Sequence, residues 1–395
     1  MRIARNKIFF LIALAVIGAR AQAAVELGID VLAANGYAQL QGKRVGLITN
    51  QTGTNGEGVR TRVLLKKHCN LVALYTPEHG LDGTEKAGRY VRSRRDPVTG
   101  LIAHSLYGPT RKPTPDMLRG IDLLVFDIQD IGCRGYTYIS TMGKCMEAAG
   151  ENHIPFLVLD RPNPLGGERI EGPSVDARWI SFVGQFPIPY VHGLTCGELA
   201  KMVNARGWIH GRCELSVIPM RGWSRGMTWG ATGLRWIPSS PNIPRGSSPL
   251  YYVATGIAGE LGVETGIGSS RPFESISSSA LNAGAFTNYM REAGFEGVTF
   301  SPYGAGRNQG CSMHISPDAP ANLTAINVYA LAAIARNRNP FRGASTTKRE
   351  MFFKIYGSSA IQGQLERGTS PASIVASWHA NVSNFRAGRA AYLLY

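Results

Sequence analysis

The chain carries a polar knot, Thr76-Pro77-Glu78-His79-Gly80, directly after the apolar run Leu71-Val72-Ala73-Leu74-Tyr75. Proline stops a strand ladder and glycine permits a tight turn, so Glu78 and His79 are expected on rigid backbone at a strand end. Three further apolar runs end the same way: in Thr49-Asn50-Gln51, in Asp127-Ile128-Gln129-Asp130, and in Asp160-Arg161-Pro162-Asn163. Open parallel sheets bind ligands beyond the carboxyl ends of their strands, so four polar strand ends predict one shared cleft. A carboxyl group on a partly dry cleft floor acts as a general acid near neutrality, and Glu78 is the leading candidate. Asp127, Asp130 and Asp160 are the other acids at strand ends. A pair of carboxylates drawn from this set suits glycoside hydrolysis. His79 tunes Glu78, contacts substrate or caps a backbone carbonyl. Arg134-Gly135-Tyr136-Thr137-Tyr138 follows the third strand; tyrosine faces and hydroxyls suit sugar rings, and arginine suits a carboxylate.

The elements that must hold these groups are legible as a βα alternation. Arg44–Thr49, Leu71–Tyr75, Leu123–Asp127 and Phe156–Leu159 read as continuous apolar strands. Helices are expected over Val59–Lys67 and Thr141–Glu151, and Thr195-Cys196-Gly197-Glu198 has capping-box spacing before another. Cys213–Ile218 reads as one more strand. This pattern predicts an α/β fold, a Rossmann-like parallel sheet covered on both faces. Composition shifts near Trp223, and Ile237–Pro244 is too proline-rich for a helix or interior strand, so it reads as a loop or linker. The expected organisation is a Rossmann-like catalytic domain over residues 24–245 and a smaller α+β domain over 246–395 closing the cleft. Helix signals there fall at Asn327–Arg336 and Pro371–Asn384.

Residues 1–23 have a basic start (Arg2, Arg5, Lys7), a short apolar stretch from Ile8 to Gly18, and Ala21-Gln22-Ala23, the layout of a cleaved export signal. The expected location is therefore periplasmic or secreted, without a stable membrane anchor. Removing this segment takes four basic residues and lowers the formal charge from +15 to about +11. The remaining Lys and Arg residues are scattered, with no basic helix or aromatic–basic ladder, so no nucleic-acid partner is expected. Six cysteines without a Cys-x-x-Cys argue against structural zinc and thiol redox chemistry, and leave disulfide pairing open. Asn50-Gln51-Thr52-Gly53 stands where a dinucleotide fold needs its glycine-rich turn, and no Gly-x-Ser-x-Gly elbow exists. No cofactor and no metal are expected.

These segments resemble the NamZ-like exo-β-N-acetylmuramidases, formerly a domain of unknown function. The resemblance runs through Gly46–Gly53, Pro77-Glu78-His79-Gly80, Ser105-Leu106-Tyr107-Gly108, Phe126–Gly132, Arg134–Tyr138, Leu159–Pro164, His192–Thr195, Gly197–Ala200 and Pro241-Asn242-Ile243-Pro244. It implies an exo-acting glycosidase that removes N-acetylmuramic acid from the non-reducing ends of peptidoglycan fragments, with muropeptides or disaccharides as partners and no nucleotide cofactor. Glu78 takes the place of the family's leading catalytic candidate. The second participant is Asp127, a tyrosine of the 134–138 segment, or the substrate's acetamido group. Asn50, Gln51, His79, Gln129, Arg134, Tyr136, Tyr138, Asp160, Arg161 and Asn163 are the expected substrate contacts, with Arg134 or Arg161 on the lactyl carboxylate. The match departs at Thr265–Ser270, which lacks the family's arginine, and at Ser275-Ile276-Ser277. Rival readings are a non-catalytic muropeptide-binding protein and a hydrolase of a different acidic amino sugar.

Overall fold

The computed structural model describes residues 24–395, so the expected export signal lies outside the described residues. The strands are β1 Arg44–Thr49, β2 Asn70–Thr76, β3 Arg94–Arg95, β4 Ile102–Ser105, β5 Leu123–Asp127 and β6 Phe156–Leu159. A small antiparallel ribbon, β7 Glu171–Ser174 and β8 Pro189–Val191, precedes β9 Leu215–Ile218. The main sheet runs in the order β3-β4-β2-β1-β5-β6-β9, and all neighbours except β3 pair in parallel. The chain leaves β1 toward β2 and returns on its far side as β5, which makes the β1/β5 gap the topological switch point.

Helices α1 Gly28–Ala34, α2 Thr61–His68, α3 Tyr138–Glu151 and α4 Cys196–Arg206 cover this sheet. The capping box forms as its spacing dictates. Thr195 accepts from the Glu198 amide at 3.2 Å, and Glu198 accepts from the Thr195 amide at 3.0 Å. Strand side chains alternate between two cores. Val45, Leu47, Val125 and Leu157 face α1 and α2, whereas Ile48, Phe126 and Val158 join a larger cluster with α3 and α4.

From α5 (Ser248–Gly259) onward the pattern changes. A three-stranded antiparallel sheet forms from β10 Ser275–Ser278, β11 Val298–Ala305 and β12 Asn308–Ile315, in the order β10-β12-β11. It is packed with α6 Ala283–Glu292, α7 Leu323–Ala335 and α8 Thr346–Tyr356. The Pro371–Asn384 signal resolves into two short helices, Pro371–Ala376 and His379–Arg389. The fold is α/β with a smaller sheet-and-helix region, as the βα rhythm predicts.

The two regions share one continuous apolar cluster: Phe126 and Ile139 belong to it together with Val253 and Leu331. The C-terminal residues return to the first region. Tyr395 donates to Asp160 at 2.8 Å, and Arg389 donates to the His192 carbonyl at 2.9 Å. All six cysteines are free thiols, five of them buried. Among the described residues no helix is long and apolar enough to cross a membrane.

Candidate active site

Glu78 sits one residue past the Pro77 that ends β2, on a loop bent back by two successive left-handed residues, His79 (φ 69°) and Gly80 (φ 76°). A side chain in that region costs about 1–2 kcal/mol, so the surrounding contacts must hold His79 there. They do so through its own ring. His79 Nδ1 lies 2.6 Å from the Glu85 carbonyl, which makes Nδ1 the protonated donor, and the Glu85 amide donates back to the His79 carbonyl at 3.2 Å. His79 is therefore a brace of the loop that carries Glu78.

Glu78 is 8% exposed. Oε1 accepts from the Gly88 amide at 2.7 Å, and Oε2 accepts from Thr137 Oγ1 at 2.7 Å. Tyr107 faces it from the end of β4, and burial together with the Glu78 charge pushes this phenol up to about 12. The Arg111 guanidinium stacks on the Tyr107 ring, 3.4 Å from its centroid. Tyr107 and Arg111 are absent from the sequence-based set of contacts. The signal was the short strand β4, whose mixed Ile-Ala-His-Ser run hides the fifth strand end of the cluster.

The other acids are engaged elsewhere. Asp127 is wholly buried and pairs with Arg161, at 2.5 Å from Oδ1 to Nε and 3.0 Å from Oδ2 to Nη2, while Thr61 donates to Oδ2. Gly53 lets the loop after β1 fold over this pair, since a Cβ there would stand 2.1 Å from Thr49 Oγ1 and 2.8 Å from the Asp127 carbonyl. Asp160 accepts from Thr195 Oγ1 at 2.7 Å, the Gly197 amide at 2.8 Å and Tyr395, and burial lifts it to about 6. Burial lifts Asp130 to about 7, against a hydrogen bond from the Gly132 amide at 2.7 Å. This geometry favours a scaffold role for Asp127 over contact with a reacting atom.

The expected substrate contacts divide similarly. Gln51 donates to the Pro238 and Ser239 carbonyls at 2.8 and 3.0 Å. Tyr136 and Tyr138 converge on the same serine, at 2.9 Å to its Oγ and 2.5 Å to its carbonyl. The proline-rich stretch read as a linker is thus a packed wall of the site: prolines remove its ladder donors, and its carbonyls accept side-chain donors instead. Asn50 accepts from the Thr52 amide and hydroxyl at 2.9 and 2.6 Å, and Asn163 accepts from the Leu165 amide at 3.0 Å. Gln129 donates to the Asp130 and Pro162 carbonyls.

Arg134, an expected carboxylate contact, lies inside the fold. It is fully buried, donates to the Ile355 and Tyr356 carbonyls of α8 at 2.9 Å each, and is lowered to about 10 by burial. It ties the two regions together, and no ligand surface reaches it. Among the described residues no cluster of His, Cys, Asp and Glu could hold a metal ion.

Two family models cover the chain: exo-β-N-acetylmuramidase NamZ, N-terminal, over residues 45–247, and its C-terminal counterpart over 250–395. The peptidoglycan β-N-acetylmuramidase NamZ of Bacillus subtilis (strain 168) is 38% identical over 384 residues, which cover 94% of this chain and 91% of that protein. Two crystal structures of DUF1343-family proteins from Bacteroides fragilis NCTC 9343 share the fold, each covering 94% of this chain and 99% of its own. Their TM-scores are 0.88 and 0.71, at 42% and 28% identity. The chain belongs to the exo-β-N-acetylmuramidase NamZ family.

Proposed function

We propose that the chain is an exo-acting glycosidase that releases N-acetylmuramic acid from the non-reducing ends of peptidoglycan fragments. Family membership over nearly the whole chain supports the reaction class. The observation that carries the chemistry is how Glu78 is held, by one amide and one hydroxyl with the Tyr107 phenol beside it, while Asp127 is paired with Arg161 and Asp160 is enclosed by Thr195, Gly197 and Tyr395. Its role is proton transfer to the glycosidic oxygen as the bond to the anomeric carbon breaks. With Asp127 tied to Arg161, the second participant is the substrate's own acetamido oxygen. It closes on the anomeric carbon, and water then opens the ring while Glu78 takes up the water proton. The basic-then-apolar start of the chain and its small residues at 21–23 support export, and hence a periplasmic or secreted place of action.

The test is release of free N-acetylmuramic acid from a chromogenic muramide, with the matching glucosaminide as control. Wild type is expected to cleave the muramide preferentially and Glu78→Gln to be inactive. Cleavage by the variant at the wild-type rate removes Glu78 from the chemistry, and inactivity of wild type on both substrates removes the glycosidase reading.

A further inference from the structure

The loop that carries Glu78 and the turn that follows β4 form one unit. The Val91 amide donates to the Tyr107 carbonyl at 2.9 Å, and Gly108 leaves room for the Tyr90 ring, since a Cβ there would stand 2.3 Å from Tyr90 Cε2. Tyr107 then joins two charged groups: burial and Glu78 act on its phenol, and the Arg111 guanidinium lies on its ring. A cation therefore stands at the Glu78 corner, one side chain removed from the carboxylate.

Short-range contacts set the position of Arg111. Thr110 closes a turn on Lys112: its Oγ1 accepts from the Lys112 amide at 3.1 Å and donates to the Lys112 carbonyl. Arg111 stands at the head of that turn. Its guanidinium carbon lies 3.4 Å from the Tyr107 ring centroid and 5.0 Å from that of Phe182, in the connection between β7 and β8. Two aromatic faces hold a planar cation without engaging its N–H groups, so the donors stay available to a ligand.

Those donors find no anion within the fold. Lys112, the next residue, pairs with Glu147 and Glu151 at 3.0 and 2.7 Å, and Arg119 pairs with Asp116 at 2.6 Å. Arg111 has no carboxylate within ion-pair distance among the described residues, and its Nη1 is buried without a hydrogen-bond partner. A guanidinium N–H beside apolar rings is costly until an anion supplies the acceptor. The arginines expected from the sequence to meet a carboxylate are engaged elsewhere, Arg134 on the Ile355 and Tyr356 carbonyls and Arg161 on Asp127. Lys86 and Arg89 flank Gly88, but both are exposed.

We propose that Arg111 is the specificity-determining residue of the Glu78 site: its guanidinium holds the carboxylate of the sugar's lactyl ether while Glu78 serves the glycosidic oxygen. The assignment rests on the reading of the chain as a muramidase, and adds to it the group that separates the acidic sugar from a neutral counterpart. Tyr107 spans the two tasks, its hydroxyl toward Glu78 and its ring under Arg111. The planar fork of arginine matches a carboxylate. Clamped between two rings, it has lost its rotational freedom before the sugar arrives, which lowers the cost of binding.

The experiment compares kcat/KM on a chromogenic N-acetylmuramide and on the methyl ester of its lactyl group, for wild type, Arg111→Gln, Arg111→Lys and Arg89→Gln. Wild type is expected to prefer the acid. Arg111→Gln is expected to reduce that preference by about tenfold to a hundredfold, mostly through KM, the worth of a charge-assisted hydrogen bond. Arg111→Lys is expected to fall between the two, because a point charge replaces the fork, and it carries the decision if the glutamine variant folds poorly. Arg89→Gln is expected to keep the wild-type preference. An unaltered preference in Arg111→Gln overturns the proposal. So does an equal loss on acid and ester, which makes Arg111 a support of Tyr107 alone. An equally large loss of preference in Arg89→Gln also overturns it, since recognition is then a general effect of surface charge. If wild type cleaves neither substrate, the muramidase reading fails and Arg111 is judged by calorimetric titration with N-acetylmuramic acid and its methyl ester. Tighter binding of the acid that depends on Arg111 upholds the assignment, and any other result overturns it.

Discussion

The ends of β2 and β5 are separated in the sheet by β1 alone, yet they treat their carboxylates in opposite ways. At the end of β2, Glu78 meets one backbone amide and one threonine hydroxyl, with an arginine-stacked phenol beside it. At the end of β5, Asp127 is enclosed by Arg161, Thr61 and the loop that Gly53 allows to fold over it. The first arrangement leaves an acid without a cationic partner. The second fixes a charge pair whose removal threatens the strand ends themselves. The lesson is that an acid at a parallel strand end is a candidate for chemistry only if no guanidinium from the next strand end reaches it.

The sharpest way to break this comparison is to exchange the two phenotypes. Glu78→Gln is expected to lower kcat by roughly 10²–10⁴-fold with little change in the urea midpoint. A variant that instead unfolds early while keeping its per-molecule rate would make Glu78 the scaffold residue. Asp127→Ala leaves the buried Arg161 unpaired, and a stability loss of about 3–5 kcal/mol is expected in equilibrium unfolding. Unaltered stability with abolished turnover would move Asp127 into the reaction.

A smaller effect tests the neighbourhood of Glu78. Tyr107→Phe keeps the ring under Arg111 and removes the hydroxyl, so kcat is expected to fall by about tenfold, with a displaced limb in the pH–rate profile. A Phe variant with the wild-type profile would reduce Tyr107 to packing.

The pH dependence of stability gives the last test: the buried acids beyond β5 and β6 and the buried His192 beyond β8 pull in opposite directions. Asp130 is lifted from 3.8 to about 7, and Asp160 to about 6. Over that interval the folded chain keeps protons that the unfolded chain has released, so both groups lower stability as pH rises from about 4 toward 7. His192 is lowered from 6.5 to about 3 by burial, with Arg389 and Arg134 adding to the effect. The unfolded chain then takes up a proton that the folded chain refuses, so this residue lowers stability as pH falls from 6.5 toward 3. Thermal melts across pH 3–8 are expected to show Asp130→Asn flattening the upper limb in part and His192→Gln flattening the lower one. The reverse pattern would contradict the burial of these groups.

Much of the scaffold is local and was therefore legible from the chain. β1, β5 and β6 follow their apolar runs and carry polar residues only at their ends, Arg44, Thr49 and Asp127, because a strand buried on both faces has no polar position to offer in its middle. The Thr195–Glu198 box starts α4 because both of its hydrogen bonds lie within four residues. The site was legible only as a set of strand ends. Arg134, Asp160 and Asn163, expected as contacts, each hydrogen-bond to a distant segment of the chain, which no local pattern announces. Tyr107 entered only as part of the resembling segment Ser105–Gly108 and not as a contact, because β4 is short and mixed in polarity.

The order of apolar and polar residues by itself determined the parallel sheet, the cap of α4 and the placing of acids beyond the strands, since each follows from periodicity or from contacts a few residues apart. Tertiary structure alone decided which acid is locked in an ion pair and which meets only an amide and a hydroxyl. Arg161 closes on Asp127 across 34 positions, Arg134 reaches Tyr356 across 222, and Thr137 finds Glu78 across 59. Hydrogen-bond partners so far apart are chosen by packing, because burial forces each polar group onto whichever donor or acceptor the fold brings within reach.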